Sequence, residues 1–349
     1  MHVVSLRGPG AAWQADAMRY VVLGAGAIGG VVGARLFQAG FDVTLIARGA
    51  HLEVLQARGV RIESPTSTDI VPLPAVGHPR EVDWRTDHVV LMAVKSHQTS
   101  AALSELAEVA PPQTPIVCMQ NGLANEPAAL RLFPHVQGVS VACPTSHLEP
   151  GVVQAWSTPV TGLLDIGRYP AGFDQTTEAV AADLRAATFD SHPVDDIRRW
   201  KHRKLLTNLG NAVEAVCGLH ERRGPLGDML IAEGEAVLSA ARLEAATAEE
   251  DRIRRADLIQ LGEIGGQTRA GGSSWQSMQR GTGDIETDYL NGEIVLLGRI
   301  HGVPTPANDL LQHLARELAA NRHDLGAISA AKILEQLDKE RKQAGTKSG

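Results

Sequence analysis

Lys204, Asn208 and Asn211 lie four and seven residues along from one another in the stretch RRWKHRKLLTNLGNAVEAVCG. A helix advances about 100° per residue, which puts the three on one stripe. The stripe borders an apolar face of Leu205, Leu206, Leu209, Ala212, Val213 and Val216, while Arg203, Gly210 and Glu214 point away. A cation and two amides at the edge of a buried face need partners or a wet crevice. A partly desolvated lysine, its pKa lowered toward the working pH, can give a proton to a carbonyl oxygen as hydride arrives at the carbon. The same stripe serves equally well as a hydrogen-bonding network between domains.

A second set is Gly24, Gly26 and Gly29, which form GxGxxG between the run YVVL and a helical pattern. Gly24 permits a tight turn, Gly26 lets the backbone approach a pyrophosphate, and Gly29 lets helix and strand pack closely. Ala27 and Ile28 open the helix, whose free N–H groups and positive dipole end face the phosphates. The plain alternative is a turn in an α/β fold with no ligand. About 20 residues on, an NAD site carries Asp or Glu at the end of the second strand. Here that strand ends TLIAR, with Ala47 and Arg48 in that place and Asp42 at the opposite end. Arg48 favours a 2′-phosphate and so NADP(H), unless it is only an exposed loop cation.

Three further positions belong with these. Lys95 in AVKSHQ follows a strand and faces the ligand crevice or solvent. Asn121 in MQNGLANE can bridge cofactor and substrate, or make an Asn-Gly turn. In GGSSWQSMQRGTGDIETDYLNGEIV, Glu286 near Lys204 would hold the ammonium and bind a substrate hydroxyl. Otherwise it is a first-turn acid behind an N-cap at Thr282 or Asp284.

Positioning these residues takes two kinds of architecture. Val/Ile-rich runs at 20, 42, 88 and 115 alternate with helical patterns near 28–39, 51–57, 98–109 and 125–132, the signature of a parallel sheet. Runs at 138, 151 and 160 lack intervening helices and read as added, partly antiparallel strands, before a helix near 175–187. From 195 strand patterns stop, and helices are expected over 196–217, 225–247, 250–267, 284–301, 306–321 and 326–341. The expected fold is an N-terminal Rossmann-type doubly wound α/β sheet over 19–193, then an all-α domain over 194–349 packed against it.

Residues 1–18 are expected to be a loose extension, with Met18 an alternative start and no h-region of signal-peptide length. A hydrophobic content of 44% in 349 residues fits packed globular domains. The net charge of −7, without a basic run, argues against nucleic acid or an anionic membrane as partner. No apolar run nears the roughly 18 residues of a membrane span. Cys118, Cys143 and Cys217 form no CxxC pair and read as reduced thiols, so a cytoplasmic location is expected, with no metal site.

GAGAIGG, AVKSHQ, QNGLANE, RKLLTNLGN and ETDYLNGEIVLLGRIHGVPTP, in that order, resemble the ketopantoate reductase (2-dehydropantoate 2-reductase) family from about Arg19 to the helix after Pro306. The resemblance implies NADPH in a cleft between a Rossmann domain and a helical domain. It implies reduction of a 2-oxo acid to a 2-hydroxy acid, 2-dehydropantoate to pantoate in pantothenate biosynthesis. Lys204 then resembles the proton donor and Glu286 its acidic partner. Asn208, Asn211, Ser274 and Asn121 resemble substrate-binding positions, with Asn121 beside the nicotinamide. Arg48 and Lys95 resemble groups that favour the 2′-phosphate. A helical second domain is also compatible with a homodimer.

Three departures touch the substrate side. The second asparagine is Asn211, seven residues after the lysine, where the family has eight and this chain has Ala212. The family's SSMxQD reads SSWQSM, with Trp275 added and Met278 in place of the acid. Its GRxTEID reads TGDIETD, with Gly283 in the region and no arginine. A reductase of another carbonyl compound and a non-catalytic NADP(H)-binding regulator are the rival readings.

Overall fold

The fold is that of a computed structural model, which describes residues 18–279, 285–321 and 325–347. The extension expected over 1–17, the N-cap candidates Thr282 and Asp284, and Gly283 lie outside the described residues.

The first half runs β1 (Arg19–Leu23), α1 (Ala27–Gln38), β2 (Asp42–Ile46), α2 (Gly49–Arg58), β3 (Val60–Glu63), β4 (Thr68–Val71), β5 (Ala75–Val76), β6 (His88–Met92), α3 (Thr99–Ala107), β7 (Ile116–Cys118) and α4 (Asn125–Leu130). It continues through β8 (Val136–Ala142), β9 (Thr145–Ser146), β10 (Val152–Ala155), β11 (Ser157–Pro159), β12 (Leu163–Arg168) and α5 (Gln175–Ala186). One seven-stranded sheet has the order β12-β8-β7-β6-β1-β2-β5. It is parallel except for β12, which pairs antiparallel with β8. The central strands β1, β6 and β7 are buried almost throughout, as continuous apolar runs covered on both faces should be. From β1 the chain moves outward to β2 and later returns to β6 on the other side, so the crevice opens at the carboxyl ends of β1 and β6.

Two glycines make that crevice possible. Gly24 has φ +103°, and a Cβ there would stand 2.8 Å from the backbone nitrogen of Val94. A Cβ on Gly29 would fall 2.0 Å from the carbonyl oxygen of Gly24, so helix and turn touch only with hydrogen at that position.

The second half holds α6 (Ile197–Asn208), α7 (Gly210–Cys217), α8 (Pro225–Ala240), α9 (Ala248–Arg255), the short strand β13 (Ile259–Leu261), α10 (Ser273–Gln279), α11 (Asn291–His301), α12 (Pro306–Asn321) and α13 (Ala330–Lys347). Leu205, Leu206, Leu209, Ala212, Val213 and Val216 are all buried, packed on Leu230, Ile294, Leu311 and Ile333 of the neighbouring helices. The single helix expected over 196–217 is interrupted at Leu209. There Asn291 Nδ2 donates to the Leu209 carbonyl at 3.3 Å, and Arg222 Nη2 donates to that of Thr207 at 2.8 Å. Side chains inserted into the carbonyl row bend a helix.

The expectation of helix over 250–267, and of no strand after 195, is corrected. Helix α9 stops at Arg255, Ala256 takes φ 34°, and β13 pairs antiparallel with β11. The cause is tertiary. Arg254 is drawn onto Asp165 (2.7 Å through Nε and Nη2) and Asp190 (2.5 Å), which fixes the end of the helix against β12. A second tie is Lys201, whose Nζ lies 2.6 Å from Glu126 and donates to Gln120 O at 2.8 Å. These contacts set α6 and α9 of the second half firmly on the sheet of the first.

Candidate active site

Three adjoining cavities form one trough along the junction of the halves. The outer one, about 650 Å³, is lined by Gly24, Gly26, Ala47, Arg48, His51 and Gln98 among others. The middle one, about 150 Å³, has Gly26, Lys95, Asn121, Ser274, Ser277 and Glu286 in its walls. The inner one, about 200 Å³, gathers Ala27, Asn121, Lys204, Asn208, Asn211 and Arg269. Gly26 and Val94 belong to both the outer and middle cavities; Ala27, Ile28 and Asn121 belong to both the middle and inner ones.

The outer part fits a dinucleotide. Gly26 caps α1 without any side-chain hydrogen bond, and a Cβ there would meet nothing within 4 Å, so the space over the first turn is open. A twelve-residue helix presents its unpaired N–H groups to that space. Arg48 stands at the rim with its Nη2 2.6 Å from Glu105, and no acid takes its place at the end of β2. Asp42 sits at the far end of the strand, paired with Arg19 at 2.8 Å. Lys95 Nζ donates to Ser277 Oγ at 3.0 Å, closing the middle cavity from the first half to the second.

His51 was not foreseen. Gly151 N–H donates to its Nδ1 at 2.8 Å, so the proton is on Nε2, which donates to the Ala25 carbonyl at 2.8 Å. Burial lowers its pKa and keeps it neutral, and the ring thereby props the glycine turn. A hydrogen bond between residues 26 apart leaves no local sequence signal.

In the inner cavity the predicted stripe faces the trough. Asn208 Nδ2 donates to Asn121 Oδ1 at 2.9 Å, joining the two halves, and Asn211 Nδ2 to Ser273 Oγ at 3.4 Å. Lys204 is only partly exposed. Burial, then Arg255 and Arg222, lower its pKa to about 7; Asp251 opposes and Arg269 adds to the lowering. An ammonium this close to neutrality can give up its proton.

Among the described residues Glu286 makes no hydrogen bond or ion pair with Lys204, contrary to the expected pairing, and lines the middle cavity while Lys204 lines the inner one. Glu286 Oε1 accepts from Ser96 N at 3.0 Å and Ser96 Oγ at 2.9 Å, in the middle cavity. Ser274 lines that cavity too. Glu214, expected on the outward face, is buried instead, with Oε2 accepting from Gly272 N at 2.7 Å. Trp275 packs against Gly271 and stays out of the inner wall. Arg269, unremarked in the sequence, reaches that wall. Its Nε is buried with no hydrogen-bond partner, and with the Gln276 amide turned toward Thr145 O its Nη2 meets Gln276 at 3.2 Å. The one available signal was a lone cation in the Gly- and Ser-rich run GGQTRAGGSS.

Known proteins resemble this chain over most of its length. Residues 20–170 match the family model "Ketopantoate reductase PanE/ApbA" and residues 196–319 match "Ketopantoate reductase PanE/ApbA C terminal". A 2-dehydropantoate 2-reductase of Pyrococcus horikoshii is 30% identical over 305 residues, covering 86% of this chain and 97% of that protein. Among solved structures, a PanE/ApbA family ketopantoate reductase from Ralstonia eutropha has TM-score 0.73 at 28% identity, covering 87% of this chain and 99% of its own. A D-mandelate dehydrogenase with NADH and anilino(oxo)acetate has TM-score 0.75 at 21% identity with the same coverage, a likeness of fold.

Proposed function

The chain belongs to the ketopantoate reductase family, and from that premise we propose that it reduces a 2-oxo acid to a 2-hydroxy acid with NADPH. The substrate in its relatives' names, 2-dehydropantoate, is the first candidate. Membership makes the protein an oxidoreductase acting on CH–OH groups. The observation that carries the reading is Lys204, drawn close to neutrality in a cavity that also holds Asn121, Asn208 and the start of α1.

The nucleotide, when bound, supplies hydride. The open first turn of α1 would hold its pyrophosphate, Arg48 its 2′-phosphate, and Asn121 the neighbourhood of its nicotinamide. Every other part belongs to the chain. Lys204 Nζ gives a proton to the keto oxygen as the carbonyl carbon gains its new C–H bond, so one C=O becomes CH–OH and the lysine is left neutral. Asn208, held by Asn121, sits one helical turn from Lys204 and fixes the keto oxygen beside it. Glu286, held by Ser96, offers a carboxylate acceptor in the adjoining middle cavity to a substrate hydroxyl.

The test is Lys204→Ala. NADPH affinity, read by fluorescence titration, should stay within a few-fold of the parent, while turnover of 2-dehydropantoate or another 2-oxo acid should drop roughly 10²–10⁴-fold, the usual worth of a general acid. Near-normal turnover in that variant would remove Lys204 from the chemistry.

A further inference from the structure

Behind Lys204 lies a chamber that the reaction above leaves unused. Its volume is about 760 Å³ against about 200 Å³ for the inner cavity, and the two meet at Lys204, Arg222 and Arg255. A short monocarboxylic oxo acid has nothing to place there. The walls combine a few apolar side chains, Leu219, Ile231 and Ala248, with a strongly one-sided set of charges.

Five cations, Lys204, Arg222, Arg223, Arg252 and Arg255, face two acids, Glu214 and Asp251. Internal pairing removes part of this excess. Arg255 holds Asp251 at 2.8 Å, Arg222 shares Glu214 at 3.4 Å, and Arg252 turns outward to Glu249 at 2.6 Å. Glu214 is further committed to the backbone of Gly272. Arg223 has no carboxylate partner among the described residues. On the inner side, Arg269 also lacks an ion pair among the described residues, and its Nε is buried without a hydrogen-bond partner. Two cationic positions thus lack a carboxylate among the described residues, Arg269 in the inner cavity and Arg223 in the chamber. A 2-oxo acid with one carboxylate satisfies only one of them. Leaving the buried Nε of Arg269 unpaired is costly, and an anion there relieves it; Arg223 is exposed, and a second anion in the chamber gains a charge-assisted contact with it, so a ligand that meets both is favoured.

We infer that the substrate is a dicarboxylic 2-oxo acid. Its first carboxylate meets Arg269 in the inner cavity, its keto oxygen lies at Lys204, and its chain passes Arg255 to set a second carboxylate against Arg222 and Arg223 in the chamber. The inference rests on the proposed oxo acid reduction and departs from it only in naming the substrate class. The reaction is unchanged: the lysine proton forms the O–H bond, and the nucleotide would supply the hydride of the C–H bond and be left oxidised.

The experiment compares chain-matched pairs with the full-length protein, following NADPH oxidation: 2-oxoglutarate with 2-oxopentanoate, and 2-oxoadipate with 2-oxohexanoate, with 2-dehydropantoate alongside. The expected kcat/KM is at least tenfold higher for the dicarboxylate of one pair. Arg223→Gln, at an exposed position, should lower that ratio at least threefold. Equal or faster reduction of the monocarboxylates overturns the inference and leaves oxo acid reduction standing. A ratio unchanged in Arg223→Gln and in the Arg222→Gln/Arg223→Gln double variant overturns the role of the chamber. Failure of every oxo acid with a protein that still binds NADPH overturns the inference together with the proposed reaction.

Discussion

Lys204 is held between opposing influences, and its pH behaviour follows from them. Burial and the guanidiniums of Arg255, Arg222 and Arg269 weaken its hold on a proton, while Asp251 strengthens it. Reduction needs the ammonium, so kcat/KM with NADPH should fall as the pH rises through about 7, the free-enzyme value. Arg255→Gln removes the foremost of the three repulsions and should move that limb to higher pH, which a pH–rate profile will show. The linkage to stability has a definite sign. Because the folded value lies below the ordinary 10.5, the unfolded chain binds more protons between about 7 and 10.5. The lysine therefore costs folding most below pH 7, and less as the pH climbs. At this scale the sequence was readable where geometry is local. Gly24–Gly29 and the stripe Lys204, Asn208, Asn211 each lie within two or three turns of chain, and the structure brings both to one trough. Arg269 and His51 were not readable, because each acts through partners set by the fold and not by spacing. Glu286 was legible as a residue of the trough, but its contact with Ser96, 190 positions away, was not.

At the level of elements, α6 is anchored to α4 of the first half by a buried pair. The side chains of Lys201 and Glu126 are 5% and 1% exposed, and burial raises the pKa of Glu126 despite the adjacent ammonium. Lys201→Met strips a buried carboxylate of its counter-charge. Urea unfolding at pH 8 should show a loss of roughly 3 kcal/mol, in the range for a broken buried pair. The loss should shrink toward pH 5, because a carboxyl with a raised folded pKa binds its proton more readily in the native state. Adding Glu126→Gln should recover part of it at pH 8. Elements were legible in proportion to how far their own residues dictate them. Strands β1, β2, β6 and β7 are apolar runs that only a covered sheet accommodates, and they appear where expected. The short strands β3 (VRIE) and β4 (TDIV) mix polar with apolar residues and belong to a separate small sheet with β10 and β9, and so escaped notice. Strand β13 exists because β11, about a hundred residues earlier, is there to receive it.

Across the whole molecule, the candidate site lies at the junction of the halves, which several ties fix. Arg254 is one of them, tying α9 to Asp165 and Asp190 beside β12. Arg254→Leu leaves Asp165, 4% exposed, without its cation. It should cost roughly 3 kcal/mol in urea unfolding. Since α9 also carries Asp251 and Arg255, the same variant should displace the pH limb assigned to Lys204, whereas a purely structural tie would leave that limb in place. The ladder of β11 and β13 has a different consequence. Main-chain bonds stitch the halves along that margin, so any gaping of the protein is a swing about a bound spine, as with a book. Loosening that ladder should therefore quicken the exchange of ligands while leaving the residues assigned to the reaction in place.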